Sequence, residues 1–232
     1  MIYHIWQEGK SSEDTKRRNA LARQTWLEQY RKGWIERRIP EGALPRTADK
    51  MYKREKRNLP FIKDIIRQGC VGLKDNETIV FTNADTCMSP ILTECLLGAF
   101  QSMDAIHCHR RDFKALQWPL NAEEIEKGEW YPGTDLFAMK VGFWRGIQAD
   151  FPDMITGAEA WDKIMRELLI KSGAGELYNM IYHEQHNSYW STKENKMTSP
   201  ANVHNRTLAR EWLQANNLPL AELNFKETHK TI

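Results

Sequence analysis

The stretch Thr78-Ile79-Val80-Phe81-Thr82-Asn83-Ala84-Asp85-Thr86 places an amide and a carboxylate, one residue apart, at the end of a short apolar, β-branched run. Such a run, bounded by polar residues, reads as a buried strand. In open α/β sheets, ligands bind just beyond the carboxyl ends of strands, which is where Asn83 and Asp85 would stand. The plainer alternative is a turn closed by an Asx hydrogen bond. Other strand-end groups follow along the chain: Arg110-Arg111-Asp112, Asp135, Glu159 with Asp162, and His183 with His186. Carboxylates and imidazoles around one crevice suit a divalent cation such as Mg2+ or Mn2+. Such an ion bridges phosphate oxygens and neutralises charge on a leaving group. The acids are too few to cage it alone, so a ligand phosphate and waters would complete the shell.

The elements that must hold these residues follow from periodicity. Ile2 to Trp6 reads as a first strand, with Gln7 to Ser12 as its exit loop. A helix from about Glu13 to Tyr30 carries Ala22, Trp26, Leu27 and Tyr30 on one stripe. Lys16, Arg17 and Arg18 in its first turns oppose the helix dipole, either as a solvated face or as arms toward a phosphate. Pro60-Phe61 opens a helix that stops at Gly69, and Ser89-Pro90 opens another. Asp104 to His109 reads as a strand with His107 and His109 on one face. No third ligand is spaced nearby, so the pair reads as packed rather than metal-binding. Ala115 to Glu129 reads as irregular, and Tyr131-Pro132-Gly133 as a turn into a strand over Thr134 to Lys140. Val141 to Ile147 is a short helix, Gly157 to Asp162 opens a longer one ending at Ser172-Gly173, and Tyr178 to Tyr182 is a last strand. The tail holds a helix with Leu208, Trp212 and Leu213. Alternating strands and helices predict an α/β fold.

At 232 residues the chain has room for one large domain or two small ones. No linker interrupts its middle, and the expected division is residues 1–190, followed by a short C-terminal extension over 191–232. Net charge is +2, but Arg31 to Asn58 alone carries +6, which suggests a polyanionic partner for one face. Trp34 and Tyr52 interleave with those charges, a pattern that suits nucleic acid or merely a solvated helix. Of the nine tryptophans, Trp6, Trp34, Trp118, Trp130 and Trp190 fall in loop-like or polar surroundings, where a ring could cover a sugar or base. The four cysteines lack zinc-finger or CxxC spacing and read as reduced thiols of a cytoplasmic protein. No signal peptide and no membrane span is expected.

These residues resemble the nucleotide-diphospho-sugar transferase superfamily, the glycosyltransferases of GT-A type. Asn83-Ala84-Asp85 is similar to the DxD motif with its first Asp replaced. Gly133-Thr134-Asp135-Leu136-Phe137 is similar to the Gly-x-Asp-Leu-Phe strand of bacterial and viral members. Gly157-Ala158-Glu159-Ala160-Trp161-Asp162 resembles the acidic helix opening on the acceptor side. His183-Glu184-Gln185-His186, with Ser188 and Trp190, resembles the late histidine region that completes metal binding. The first strand with Trp6-Gln7 fits the nucleotide-binding start of the fold. The resemblance implies a Rossmann-like, mostly parallel sheet flanked by helices and sugar transfer from a nucleoside-diphosphate sugar, UDP first among them. It places Asp85, His183 and His186 on a divalent metal, Mn2+ or Mg2+, with Asn83 supplying one negative charge fewer than the motif. Around the donor it places His4, Gln7, Arg17, Arg18, Asn83, Asp85, Arg110, Asp112 and Gly133, the arginines on the pyrophosphate. Asp135 would hydrogen-bond the donor sugar, and Glu159 or Asp162 would be the general base if transfer inverts the anomeric centre.

The acceptor reading rests on the basic segment. A hydroxymethylated base in DNA, modified by an enzyme of the kind bacteriophages carry, would use phosphate neutralisation, stacking and base extrusion. A saccharide or lipid-linked acceptor is the rival. Two readings lie outside transfer: a non-catalytic nucleic-acid-binding protein on the same scaffold, and a metal-dependent hydrolase using the same acids and histidines.

Overall fold

The computed structural model describes residues 1–7, 12–186 and 198–220. In chain order its elements are β1 (Ile2–Gln7), α1 (Glu13–Arg31), β2 (Ile35–Ile39), α2 (Ala48–Met51), α3 (Ile62–Gly69), β3 (Thr78–Thr82), β4 (Cys87–Met88) and α4 (Leu92–Ala99). There follow β5 (Ala105–Phe113), α5 (Ala122–Glu126), β6 (Glu129–Lys140), α6 (Val141–Ile147), α7 (Trp161–Lys171), β7 (Gly175–Glu184) and α8 (Pro200–Ala215).

The strands form one seven-stranded sheet in the order β2-β1-β3-β6-β5-β7-β4. Parallel pairing joins β1 to β2 and β3, and β5 to β7, while β6 and β4 run against their neighbours. Five of the seven strands therefore point the same way, the mostly parallel sheet that the family resemblance implies. Alternation sends Ile5, Ile79, Phe81 and Phe137 to one face, where α3, α6, α7 and α8 cover them. Trp6, Val80, Ile106, Cys108 and Leu136 face the other way, against α1 and α4. Burial on both faces explains why β3 reads as an unbroken apolar run. The tail helix is part of the core, because Ala209 and Leu213 are buried against the α7 face. No helix among the described residues is long and apolar enough to cross a membrane.

Several expectations need correction. The basic segment, whose plainer sequence reading is a solvated helix, contains an edge strand, β2. The predicted turn at Tyr131-Pro132-Gly133 lies inside β6, which is continuous from Glu129. His109 pairs with Thr134 and Arg111 with Trp130, so those three residues stand opposite Arg110 alone. This bulge takes Pro132, which has no N–H to donate, out of the ladder. Strand β5 runs on through Arg110-Arg111-Asp112, and β7 spans Gly175–Glu184 rather than Tyr178 to Tyr182. Helix α7 starts at Trp161, after Gly157 and Ala160 in the left-handed region, so Glu159 precedes it. The irregular stretch holds α5, closed by a reciprocal capping box between Asn121 and Glu124. Trp6 and Trp34 are core residues, Trp118 and Trp130 are exposed, and Trp190 lies outside the described residues.

Candidate active site

Strand pairing assembles the site at the carboxyl edge of the sheet. Thr82 of β3 faces Leu136 of β6, which brings together Asn83 and Asp135 just past them. The Asn83 Nδ2 donates to Asp135 Oδ1 at 2.9 Å. Cys87 pairs with Tyr182, and Asp112 with His183, so Asp85 and Asp112 flank His183. The other two metal candidates meet there as well: Asp85 Oδ2 lies 3.1 Å from His183 Nε2 and 3.2 Å from His186 Nε2.

This cluster has the make-up of a cation site. One donor atom from each of Asp85, His183 and His186 lies within 4.8 Å of the others. The Asp85 side chain keeps 18% of its surface exposed, leaving an open side for a ligand. A carboxylate with two imidazoles fits Mn2+ better than Mg2+, which prefers oxygen donors throughout. Burial pushes the Asp85 carboxyl up, but the two imidazoles overcome it and hold it well below the usual carboxylate range. Burial likewise lowers the His183 pKa, and Asp85 and Asp112 reverse it to about 9. Beside the cluster, the buried Arg18 Nε is 3.8 Å from Asp85 Oδ2 and has no hydrogen-bond partner among the described residues.

A second network adjoins it. Arg110 reaches Asp135 Oδ2 at 2.5 Å and Asp112 Oδ1 at 2.8 Å, and its guanidinium lies 3.9 Å over the Tyr131 ring. Gly133 makes room here, since a Cβ would collide with the Tyr131 ring. Asp162, at the start of α7, points its Oδ2 toward that glycine. Burial and the Asp135 charge raise the Asp162 pKa. A cleft of about 510 Å3 opens between Asp112, Glu129, Trp130, Tyr131, Gln185 and His186. Glu129 and Gln185 were not anticipated; they hydrogen-bond each other across the cleft mouth at 3.0 Å. Their only sequence signal was adjacency to Trp130 and His186.

Other predicted donor-site residues stand elsewhere or are occupied. His4 is fully buried, with Nδ1 2.9 Å from the Tyr30 hydroxyl and Nε2 2.8 Å from Thr82 Oγ1, so it holds α1 to the sheet instead of facing a ligand. Burial lowers its pKa to about 3. Gln7 ends β1 in register with Ile39. Arg17 binds Glu184 and donates to the Leu116 carbonyl at 3.1 Å. Glu159 faces α8: its Oε2 accepts from Arg206 Nε at 2.6 Å and its N–H donates to Asn202 Oδ1 at 3.1 Å. Ser188 and Trp190 lie outside the described residues.

No protein-family model matches the sequence, and no curated protein sequence matches it. Among solved structures, S. aureus TarS 1-349 in complex with UDP-GlcNAc aligns over 91% of this chain and 71% of its own, with TM-score 0.53 and 8% identity. The fold is GT-A. The catalytic domain of Drosophila β1,4-galactosyltransferase 7 in complex with xylobiose aligns over 86% of this chain and 79% of its own, with TM-score 0.47 and 10% identity. In this GT-A sheet the Asp85 cluster and the Asn83–Asp135–Arg110 network share the strand-end crevice, where the topology favours ligand binding.

Proposed function

We propose that this chain transfers a sugar from a nucleoside-diphosphate sugar, with UDP as the preferred nucleotide, to an acceptor hydroxyl. The observation that carries the reading is the meeting of Asp85, His183 and His186 at the sheet's carboxyl edge, beside the Asn83–Asp135 pair. TarS, solved with UDP-GlcNAc, supports the donor class through the shared fold.

Asp85, His183 and His186 would hold Mn2+, which when bound supplies positive charge against the leaving diphosphate. Arg18 is the pyrophosphate arginine of this reading: its other nitrogens meet Asp14 and Thr15 on its own helix, but its buried Nε, beside Asp85, has no hydrogen-bond partner among the described residues, whereas Arg17 is held by Glu184 and Arg110 by Asp112 and Asp135. Asn83 and Asp135 orient the donor sugar. In transfer with inversion, Asp162 takes the acceptor proton, and its raised pKa makes it a stronger base than an ordinary carboxylate. Glu159 serves to anchor α8 rather than to move a proton.

For the acceptor, the basic edge favours nucleic acid bearing a hydroxymethylated base. Arg37 and Arg38 lie along β2, over Tyr3 and Trp6. The charge available is smaller than the sequence count, because Arg46 pairs with Asp64 and Asp153, which lie outside the segment. A saccharide acceptor is favoured by one observation, the 51% exposed Trp130 ring on the cleft wall.

A thermal-shift panel of nucleotides and nucleotide sugars, with and without Mn2+, tests the donor reading. A ligand present at 100 times its Kd stabilises the fold by about 2.7 kcal/mol. A uridine ligand with Mn2+ is expected to shift the wild type, and UDP release should follow when acceptor is added. No shift with any nucleotide, together with tight salt-sensitive DNA binding, would replace transfer with plain nucleic-acid binding. Donor hydrolysis without transfer would replace it with a hydrolase.

A further inference from the structure

Strand pairing completes a second cluster that the sequence leaves without a third member. His107 and His109 share one face of β5, and β7 runs parallel beside them with Glu176 in register with His107. Glu176 Oε1 lies 2.7 Å from His109 Nε2 and 4.0 Å from His107 Nδ1. One donor atom from each of the three falls within 4.8 Å of the others. We propose that His107, His109 and Glu176 form a second metal site, able to hold Zn2+ and distinct from the Asp85 cluster.

Three observations carry this. First, His107 is 2% exposed, yet its Nδ1 has no hydrogen-bond partner among the described residues, while the atom faces Glu176. A buried polar atom left unpaired is costly, and ligation removes the cost. Second, Glu176 Oε1 already meets His109 Nε2 at 2.7 Å, so two of the three donors converge without rearrangement. Third, the Glu176 side chain is 28% exposed, which gives an ion access and leaves space for a water as fourth ligand. Two imidazoles and one carboxylate with an open position are a zinc-type donor set, poor for Ca2+ or Mg2+. The surroundings hold the rings in place: Trp130 and Tyr178 lie against His109, with ring centroids at 5.6 and 6.4 Å. The nearby Arg166 is paired with Glu167 at 2.5 Å, which offsets its repulsion of a cation.

Zn2+ can also occupy the Asp85 cluster, so the test removes that cluster first. Chelator-treated Asp85→Ala protein is titrated with Zn2+ by calorimetry, with bound metal counted after dialysis. One equivalent is expected to bind and to raise Tm. Adding Glu176→Gln, which keeps the shape and a hydrogen-bond acceptor for His109, should weaken binding by more than the 10–100-fold that loss of a supporting partner costs. His109→Gln should do the same, and both variants should keep the apo Tm of their parent. Co2+ gives an independent readout: a tetrahedral visible absorption band is expected in Asp85→Ala and lost with Glu176→Gln. No bound equivalent in Asp85→Ala, or unchanged affinity after either ligand change, overturns the proposal and leaves a hydrogen-bonded His109–Glu176 pair beside a packed His107.

Discussion

Replacing Arg110 with methionine removes the guanidinium while keeping a chain long enough to lie over Tyr131. The wild-type group touches two buried carboxylates, Asp135 at 2.5 Å and Asp112 at 2.8 Å. Arg110→Met leaves Asp135 without its cation and Asp112 with only His183. Removing one partner from a buried ion pair typically costs about 3–5 kcal/mol, because a charge stays buried and uncompensated. That is a large fraction of the roughly 5–15 kcal/mol that stabilises a domain. The loss should depend on pH. Burial pushes the Asp112 carboxyl up, and His183 and Arg110 overcome it, so its pKa is depressed. A depressed carboxyl contributes stability above its unfolded pKa, about 3.9, and loses it as pH falls through the folded value. Arg110→Met forfeits part of that contribution, so the gap between variant and wild type is widest near neutral pH and narrows as the pH falls below about 4. Denaturant unfolding in chelator at the two pH values measures it. Adding Asp135→Asn to Arg110→Met removes one uncompensated charge and should recover about 1 kcal/mol or more. A loss under about 1 kcal/mol, equal at both pH values, would refute the reasoning and return Arg110 to the pyrophosphate-binding candidates.

Asp85→Ala should abolish the Mn2+-dependent part of the uridine-ligand thermal shift while retaining a cooperative transition; an unchanged shift would remove Asp85 from the site. Asp162→Asn should lower kcat by about 10²–10⁴. In the wild type, kcat/KM should rise with pH through the raised Asp162 pKa and then level off, and the variant should lack that limb. Asn205→Ala should cost about 3–5 kcal/mol, since it unpairs three buried groups at roughly 1–3 kcal/mol each; urea denaturation reports it. Those groups are the Ile155 N–H and carbonyl, each at 2.8 Å, and the Glu159 carbonyl at 2.9 Å. Arg37→Ala with Arg38→Ala should flatten the salt dependence of DNA binding by about two units of slope if both contact phosphate; an unchanged slope excludes the β2 edge as a DNA surface.

Much of the site was legible because strand tips announce themselves. The run Thr78 to Phe81 is apolar on both faces, and its sudden change to Asn83 and Asp85 marks the carboxyl edge without any tertiary knowledge. The late histidines showed for the same reason, standing at the end of β7. Strand β2 hid because Glu36, Arg37 and Arg38 occupy an edge, where charge is tolerated and guards against pairing with another chain. Glu159 misled because acids before an apolar helix look like first-turn residues, whereas the left-handed Ala160 delays α7 by a turn and turns Glu159 toward Arg206. His4 misled because its position on β1 says nothing about Tyr30 and Thr82, which come from distant parts of the chain and occupy both ring nitrogens.

What sequence spacing does not contain is register, and register builds both clusters. Opposite Arg110, β6 contributes three residues where one would suffice, and this bulge lets Arg110 reach Asp135 while it stays over Tyr131. A straight ladder would demand an N–H from Pro132 that it lacks. The pairing of β5 with β7 sets Asp112 beside His183 at one end and His107 beside Glu176 at the other. A one-residue slip of β7 would send all of its side chains to the opposite face and dissolve both groups at once. Ile181 and Tyr182 are both fully buried and oppose that slip, since it would exchange two side chains of unequal size between the faces. Core packing on β7 thus fixes the side-chain clusters at both of its ends.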